Sequence, residues 1–349
     1  MAYKKEVKLE DIAKQLNISI VSVSNALNGK KGVSQSLREK VIEKAKELGY
    51  EVLDPSSAKI EKKKYYVGVV IAERYIKEFP SFYMDIYKVV AQDTTKRGSF
   101  TILEIVSEEK EKNCVNLSFF SEVDIDGLII IGEMNVEYVK NITLNSEIPT
   151  VYVDYYGTES NVDYVVTDSY GGVQKLTQLL IDKGHREIAF LGTREATNSI
   201  MDRYQGYCKA LLKNRLPERV EWILGDRKKD RYSYRIEFDL PENMPTAFVC
   251  NCDKTAYALI DKLESMGYHI PNDISVVGFD YHGYQNHETH QLVTYENDVR
   301  AVAQISVNML MKRLESKRQG GEIRIVEGRI VFGNTIKDLG TNKGKEGRK

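Results

Sequence analysis

The stretch NISIVSVSNALNGKKGVS, Asn17 to Ser34, decides how the chain begins. Its middle, Ser19-Ile20-Val21-Ser22-Val23-Ser24, alternates apolar and hydroxyl side chains as a half-buried strand does. A strand needs a partner, and the flanking segments supply none. Before it, Leu9, Ile12, Ala13 and Leu16 recur at i, i+3, i+4 and i+7, one face of a helix that Asn17 interrupts. After it, Leu37, Val41, Ala45 and Leu48 form a second such face. That helix begins near Ser34 or Ser36, where Ser36 and Glu39 fit a capping box, and Gly49 stops it. The middle therefore reads as a short helix with Ser19 as N-cap. Val23, Ala26 and Leu27 face its neighbours, Asn28-Gly29 end it, and Ile20, Val21, Ser22 and Asn25 face outward.

Two short helices joined by a three-residue turn make a helix-turn-helix layout, whose second helix enters a major groove. Ile20 and Val21 suit thymine methyl groups, and Asn25 suits the N6/N7 edge of adenine. Ser19, Ser22, Ser24, Asn28, Lys30, Lys31 and Ser34 are placed for phosphates. Charge agrees: residues 1–64 carry 14 Lys+Arg against 9 Asp+Glu, a balance of +5, while the whole chain stands at −1. From periodicity alone, a DNA-reading head and a ligand-free helical bundle stand equal.

The whole segment Val7 to Tyr50, VKLEDIAKQLNISIVSVSNALNGKKGVSQSLREKVIEKAKELGY, resembles the headpiece of the lactose/galactose-repressor (LacI/GalR) family. D-I-A, V-S, N-x-x-x-G-V-S, R-x-x-V and E-L-G-Y follow in one order and spacing. The resemblance implies a DNA-binding headpiece over 1–52. One departure matters: the family usually has arginine where this chain has Asn25, so adenine rather than guanine is expected at that position of the half-site. In the family a hinge helix follows, ordered on DNA, with a leucine wedged into the minor groove. Over 53–64, Asp54-Pro55 fits a helix start, but Lys59 falls at the leucine position. Ile60, next to it, is the expected wedge.

Beyond residue 64, apolar runs alternate with helical stretches: YYVGVVIA, FTILEIV, DGLIIIG, PTVYVD, YVVTD, REIAFLG, TAFVCNC and ISVVGFD. This β/α alternation means parallel sheets covered by helices, and the runs are too many for one ordinary sheet. Two lobes are expected in 65–339: the first about 65–165 and 296–322, the second about 166–295 and 323–339. Ligands of such folds bind beyond the carboxyl ends of the strands, here between the lobes. The segments DKGHREIAFLG (182–192), DRYQGY (202–207) and GYHIPNDISVVGFD (267–280) extend the resemblance to the family's core. The expected fold class is thus α/β: a three-helix helix-turn-helix domain, then a two-lobed effector domain that the resemblance implies is of the type I periplasmic-binding-protein-like kind. The resemblance implies that Arg203 and Asp280 hold the effector, that Phe82 and Tyr83 line the cleft, and that Tyr155 stacks on the ligand. It also puts Asn198, Asp168 and Asp253 on loops facing the cleft. A guanidinium fork, carboxylates and aromatic faces suit a sugar, sugar phosphate or nucleoside.

Other chemistry lacks its residues. His282, His287 and His290 fit no metal spacing, and Cys114, Cys208, Cys250 and Cys252 form no C-x-x-C pair and read as reduced core thiols. There is no G-x-G-x-x-G or P-loop for a nucleotide cofactor, so none is expected. Apolar runs fall short of the roughly 20 residues that span a bilayer, and no secretory leader is read at Met1. The tail 340–349 is polar, without a leucine heptad, and is expected to be disordered. The expectation is a cytoplasmic, ligand-responsive repressor of sugar or other carbon-source genes, a homodimer on a pseudo-palindromic operator, and not an enzyme. The rivals are a cytosolic solute-binding protein and a sugar-processing enzyme of the same core fold. The latter would need paired carboxylates at a spacing not seen here.

Overall fold

A computed structural model describes residues 7–27, 32–48, 50, 64–78, 82–144, 148–158, 161–227, 236–280, 289–316 and 320–340. Asn28, Lys30, Lys31, Ile60, His282, His287, nearly all of the 53–64 hinge and residues 341–349 of the tail lie outside them. The chain divides into a head, 1–63, and a body, 64–349.

In the head the opening stretch is helical. Helices α1 (Leu9–Leu16), α2 (Ile20–Leu27) and α3 (Gln35–Leu48) enclose Ile12, Ala13, Val23, Ala26, Leu27, Val41 and Ala45. Asn17 ends α1 in the left-handed region at φ 52°, which asparagine tolerates better than most residues. The Ser19 hydroxyl accepts the Ser22 N–H at 3.0 Å and so caps α2. Ser34, not Ser36, caps α3: its hydroxyl accepts from Leu37 N–H at 3.3 Å, and Glu39 takes the Gln35 amide instead. Replacing Ser19 with alanine is expected to cost about 1 kcal/mol. Native-state hydrogen exchange of the α2 amides in the intact protein measures this, and unchanged protection would show that the cap contributes nothing.

The body holds two six-stranded sheets. Strands β1 (Tyr66–Ala72), β2 (Phe100–Val106), β3 (Gly127–Ile131), β4 (Thr150–Val153) and β5 (Asp163–Thr167) belong to the first. Strands β6 (Ile188–Leu191), β7 (Ile223–Leu224), β8 (Ala247–Cys250), β9 (Ser275–Asp280) and β10 (Val293–Glu296) belong to the second. The last two strands divide between them: β11 (Ile323–Val326) joins β5, and β12 (Arg329–Val331) joins β10. The orders are β11-β5-β4-β3-β1-β2 and β12-β10-β9-β8-β6-β7, so each strand of one sheet has a positional counterpart in the other. Pairing is parallel throughout except for β12, which runs against β10. The central strands read as unbroken apolar runs because both of their faces are buried.

Helices α4 (Glu73–Glu78), α5 (Phe82–Lys96), α6 (Glu108–Lys112) and α7 (Val136–Leu144) lie between the strands of the first lobe. Helices α8 (Ser169–Asp182), α9 (Asn198–Lys213) and α10 (Asp253–Ser265) do the same in the second, and α11 (Val299–Ser316) returns to pack on α5 and on β3, β4 and β5. Gly206 lets α9 approach α8, since a Cβ there would lie 2.2 Å from the Tyr170 carbonyl.

The lobe limits differ from expectation. The first lobe keeps β5 through Thr167, and it keeps 323–326 as well, so the final crossing to the second lobe falls at Glu327-Gly328. An ion pair explains the second shift. Arg313 of α11 grips the fully buried Asp163 with Nε at 2.6 Å and Nη2 at 2.9 Å. The same Nη2 donates to the Gly320 carbonyl, and Asp163 accepts from Glu322 N–H. The turn leading into β11 is thereby fastened to the first lobe.

Candidate functional site

A cleft of about 240 Å³ opens in the body where the carboxyl ends of the two sheets face each other. The first lobe contributes Arg74 and Tyr75 after β1, Phe82 and Tyr83 at the head of α5, Glu133 after β3 and Asp154 after β4. The second contributes Thr197, Ile200 and Arg203 around the start of α9, Arg227, Cys252 after β8 and Asp280 at the end of β9.

On the second-lobe side, Arg203 is 6% exposed. Its Nη1 donates to the Asn251 carbonyl at 2.7 Å and its Nη2 to Asp280 Oδ1 at 3.1 Å, and the guanidinium lies 4.1 Å from the Phe279 ring centroid. Asp280 Oδ1 also accepts from Asn297 Nδ2 at 3.0 Å. Asp280 holds φ at 100°, an uncommon backbone for a residue with a side chain. Burial works against the charge on Arg203, but the carboxylates of Asp280 and Asp154 outweigh it and raise its pKa.

On the first-lobe side, the Tyr83 hydroxyl donates to Asp154 Oδ2 at 3.0 Å. The Tyr75 and Tyr83 rings lie 4.5 Å apart, and Phe82 meets Tyr83 edge-on at 5.0 Å. Arg74 forks onto Glu111 and donates to the Glu133 carbonyl, which also accepts the Tyr75 hydroxyl at 2.7 Å. Asp154 also has a positive φ, 59°. Burial pushes its carboxyl up to about 7. Asp280 and Glu133 add to the shift, while Arg203 and the Tyr83 hydroxyl oppose it.

Of the eight residues that the sequence points to as effector contacts, Phe82, Tyr83, Arg203 and Asp280 line the cleft, and Tyr155, Asp168, Asn198 and Asp253 make other contacts. Tyr155 packs edge-on against Tyr152 and Tyr164 at 5.7 and 6.5 Å, so it belongs to the first lobe's packing. Asp168 caps α8 by accepting from Gly171 N–H. Asp253 is buried and takes the Thr294 hydroxyl at 2.6 Å within the second lobe. Asn198 bridges the lobes, its N–H to Glu133 Oε2 at 2.9 Å and its Nδ2 to the Tyr156 carbonyl at 2.8 Å. Arg74, Tyr75, Glu133, Asp154, Thr197, Ile200 and Arg227 also line the cleft and went unnamed, and Cys252 was read only as a core thiol. Asp154 carried a signal that was not used: it is an aspartate directly after an apolar strand, as Asp280 is at the end of β9, whereas Asp280 was named through the resemblance alone.

In the head, Ile20 and Val21 are 45% and 68% exposed at the first turn of α2, although both are large and apolar. Ser22, Ser24 and Asn25 are half-buried along the same helix, and Ser19 and Ser34 are exposed at helix N-termini. Among the described residues no helix is long and apolar enough to cross a membrane. His290, the described member of the three histidines, shares a 2.6 Å hydrogen bond with Glu264.

Residues 8–52 match the family described as bacterial regulatory proteins, lacI family, and residues 177–336 match a periplasmic binding protein-like domain. The HTH-type transcriptional repressor PurR of Vibrio cholerae serotype O1 (strain M66-2) is 26% identical over 334 residues, 95% of this chain and 98% of the relative. Catabolite control protein A of Priestia megaterium is 27% identical over 335 residues, 95% of this chain and 99% of the relative. Among solved structures, a complex of the transcriptional regulator CelR with cellobiose has a TM-score of 0.66 at 22% identity, covering 94% of this chain and 99% of that one. The lac repressor dimer bound to operator and the anti-inducer ONPF has a TM-score of 0.64 at 21% identity, covering 95% and 100%. The structural likeness speaks for the fold, and the two sequence matches fall on the head and the body in turn. The chain belongs to the lacI family of bacterial regulatory proteins, transcriptional regulators that join a DNA-binding head to a ligand-binding body.

Proposed function

We propose that the protein is a cytoplasmic repressor of sugar or other carbon-source genes. It reads a pseudo-palindromic operator as a homodimer and responds to a sugar, sugar phosphate or nucleoside in the interlobe cleft. The observation that carries the reading is the exposure of Ile20 and Val21 at the start of a capped second helix. In a head with its own closed core, apolar side chains left outside at that turn suit a groove lined with thymine methyl groups. Relatives are named as repressors, and structural neighbours were solved with cellobiose and with operator DNA. In the cleft, Arg203, Asp280, Phe82 and Tyr83 are the effector contacts of this reading, while Asn198 joins the lobes around them. An effector that favours one lobe arrangement changes operator affinity by a coupling free energy of about 1–3 kcal/mol. Ile60 is assigned the wedge in the minor groove, and Asn28, Lys30, Lys31 and Ser34 contact phosphates alongside Ser19, Ser22 and Ser24.

Selection of bound sequences from random duplex DNA tests the reading. Two inverted half-sites should emerge; their absence would sink the dimeric operator reader. Asn25→Arg should exchange adenine for guanine at one position of each half-site, a discrimination of about 1–3 kcal/mol. Identical selected sequences for both proteins would remove Asn25 from base reading.

A further inference from the structure

Strand β11 forms one edge of the first lobe's sheet, and the alternation of its backbone leaves that edge open to a further strand. The Tyr164 N–H donates to the Glu322 carbonyl and the Asp168 N–H to the Val326 carbonyl, both at 2.9 Å. Residues 322, 324 and 326 therefore turn their polar backbone inward to β5, and Ile323 and Ile325 turn theirs outward. The same two isoleucines are 53% and 67% exposed, on one face of the strand. The other face carries the ion pair of Arg324 with Glu322. Natural edge strands are blunted by charge, proline, a bulge or a covering segment. Here the charges lie on the face away from the isoleucines, and among the described residues no strand pairs with β11 on its outer side. We propose that β11 is a self-association surface, on which the β11 strands of two copies of this chain pair antiparallel about a two-fold axis at Arg324. This pairing is additional to the homodimer of the operator reading, and rests on it, joining two such dimers.

The strand is complementary to itself, which is why a second copy is its occupant. With Arg324 on the axis, Ile323 of one copy stands opposite Ile325 of the other, and Ile325 opposite Ile323. These are the outward-turned residues, so each opposed pair exchanges both of its N–H···O=C bonds. Their side chains share one face, and the four isoleucines meet as cross-strand neighbours. On the other face each Arg324 lies between its own Glu322 and, diagonally, Glu322 of the second copy, so opposite charges alternate across the axis. A slip of one residue would set outward-turned groups against inward-turned ones, so the register is specified. An antiparallel strand added to the edge of a parallel sheet is a common arrangement. The sheet's opposite edge, β2, is longer, seven residues against four, and exposes Phe100 and Ile105. Tyr66 of β1 stacks on that Phe100 at 5.7 Å. The broader edge leaves a separate surface for the homodimer, and the short β11 contact makes a weaker joint that depends on concentration.

The test is sedimentation of the full-length protein, without DNA or effector, from about 1 to about 100 μM, the range in which a small interface dissociates. The expected mass is that of two chains at the low end, rising toward four at the high end. Two substitutions act on the edge alone. Ile325→Lys sets a charge against Ile323 of the second copy. Ile325→Pro removes an N–H that faces outward and leaves the bonds to β5 in place, as proline on an edge strand can. Each should raise the concentration at which four chains assemble by about tenfold or more. Both should keep the two-chain mass, and thermal unfolding confirms that each variant folds. A parent that stays at two chains throughout overturns the β11 pairing and leaves the homodimer standing. A four-chain mass unchanged in both variants also overturns it, since the contact then lies elsewhere. A parent that stays at one chain overturns the homodimer as well.

Discussion

Arg313→Ala is expected to destabilise the body by about 3–5 kcal/mol, because it removes one partner of a buried ion pair and leaves the other in place. Asp163 is fully buried at the start of β5, and Arg313 meets it with two hydrogen bonds at 2.6 and 2.9 Å. Alanine leaves the carboxylate with the Glu322 N–H, at 2.9 Å, as a remaining partner, a poor replacement for a guanidinium. The Gly320 carbonyl also loses a donor. For a domain of this size each kcal/mol lowers the melting temperature by roughly 2–4 °C, so calorimetry will resolve the effect. A melting temperature within a degree of the parent would show that the pair holds nothing. Replacing both partners with apolar residues of similar volume should recover much of the loss, since the penalty lies mainly in the orphaned charge. The pair also fastens the turn before β11, so Arg313→Ala should speed hydrogen exchange of Ile323–Val326 more than that of β12.

This ion pair also explains why the lobe limits could not be read from the sequence. EIRIVEGRIVFGNTI looks like one apolar, strand-forming run, and nothing local assigns its first half to one sheet and its second to the other. The division follows from Arg313 and Asp163, 150 residues apart. The central strands were legible because burial on both faces writes itself as consecutive valines and isoleucines. Helix α2 was legible because Ser19 is a cap and Val23, Ala26 and Leu27 share a face. Strand β7, two residues long, carries too little pattern to be seen. In the cleft, Arg203 and Asp280 were found through segments with a strong likeness to relatives. Asp154 lines the cleft although the sequence pointed to its neighbour Tyr155, since which of the two faces it depends on a backbone turn at φ 59° that no periodicity encodes. Asp168 and Asp253, also named from the sequence, have partners that no local pattern shows. Aspartates beside helix starts do stand near the mouth of such clefts, but here one is spent capping α8 and the other on Thr294.

Arg203→Ala should abolish the effector response, raising the effector concentration for half-response at least a hundredfold. Truncating one member of a buried, hydrogen-bonded charge pair costs about 2–5 kcal/mol, and much of that is the price of the charge left behind. Here that charge is Asp280, which keeps Asn297 but loses the cation beside it. Its backbone, held at φ 100°, then has less to keep it in place. Arg203→Lys separates charge from shape. Lysine restores a cation, but it cannot reach the Asn251 carbonyl and Asp280 with one planar fork or stack its head flat on Phe279. It should therefore recover only part of the response. The measurement is operator occupancy against effector concentration, each curve normalised to the variant's own effector-free operator affinity. That normalisation removes any general loss of stability or of DNA binding. A parental dose–response from Arg203→Ala would take Arg203 out of the effector site. A full recovery by lysine would mean that the cleft needs a positive charge at this place and not the guanidinium's geometry.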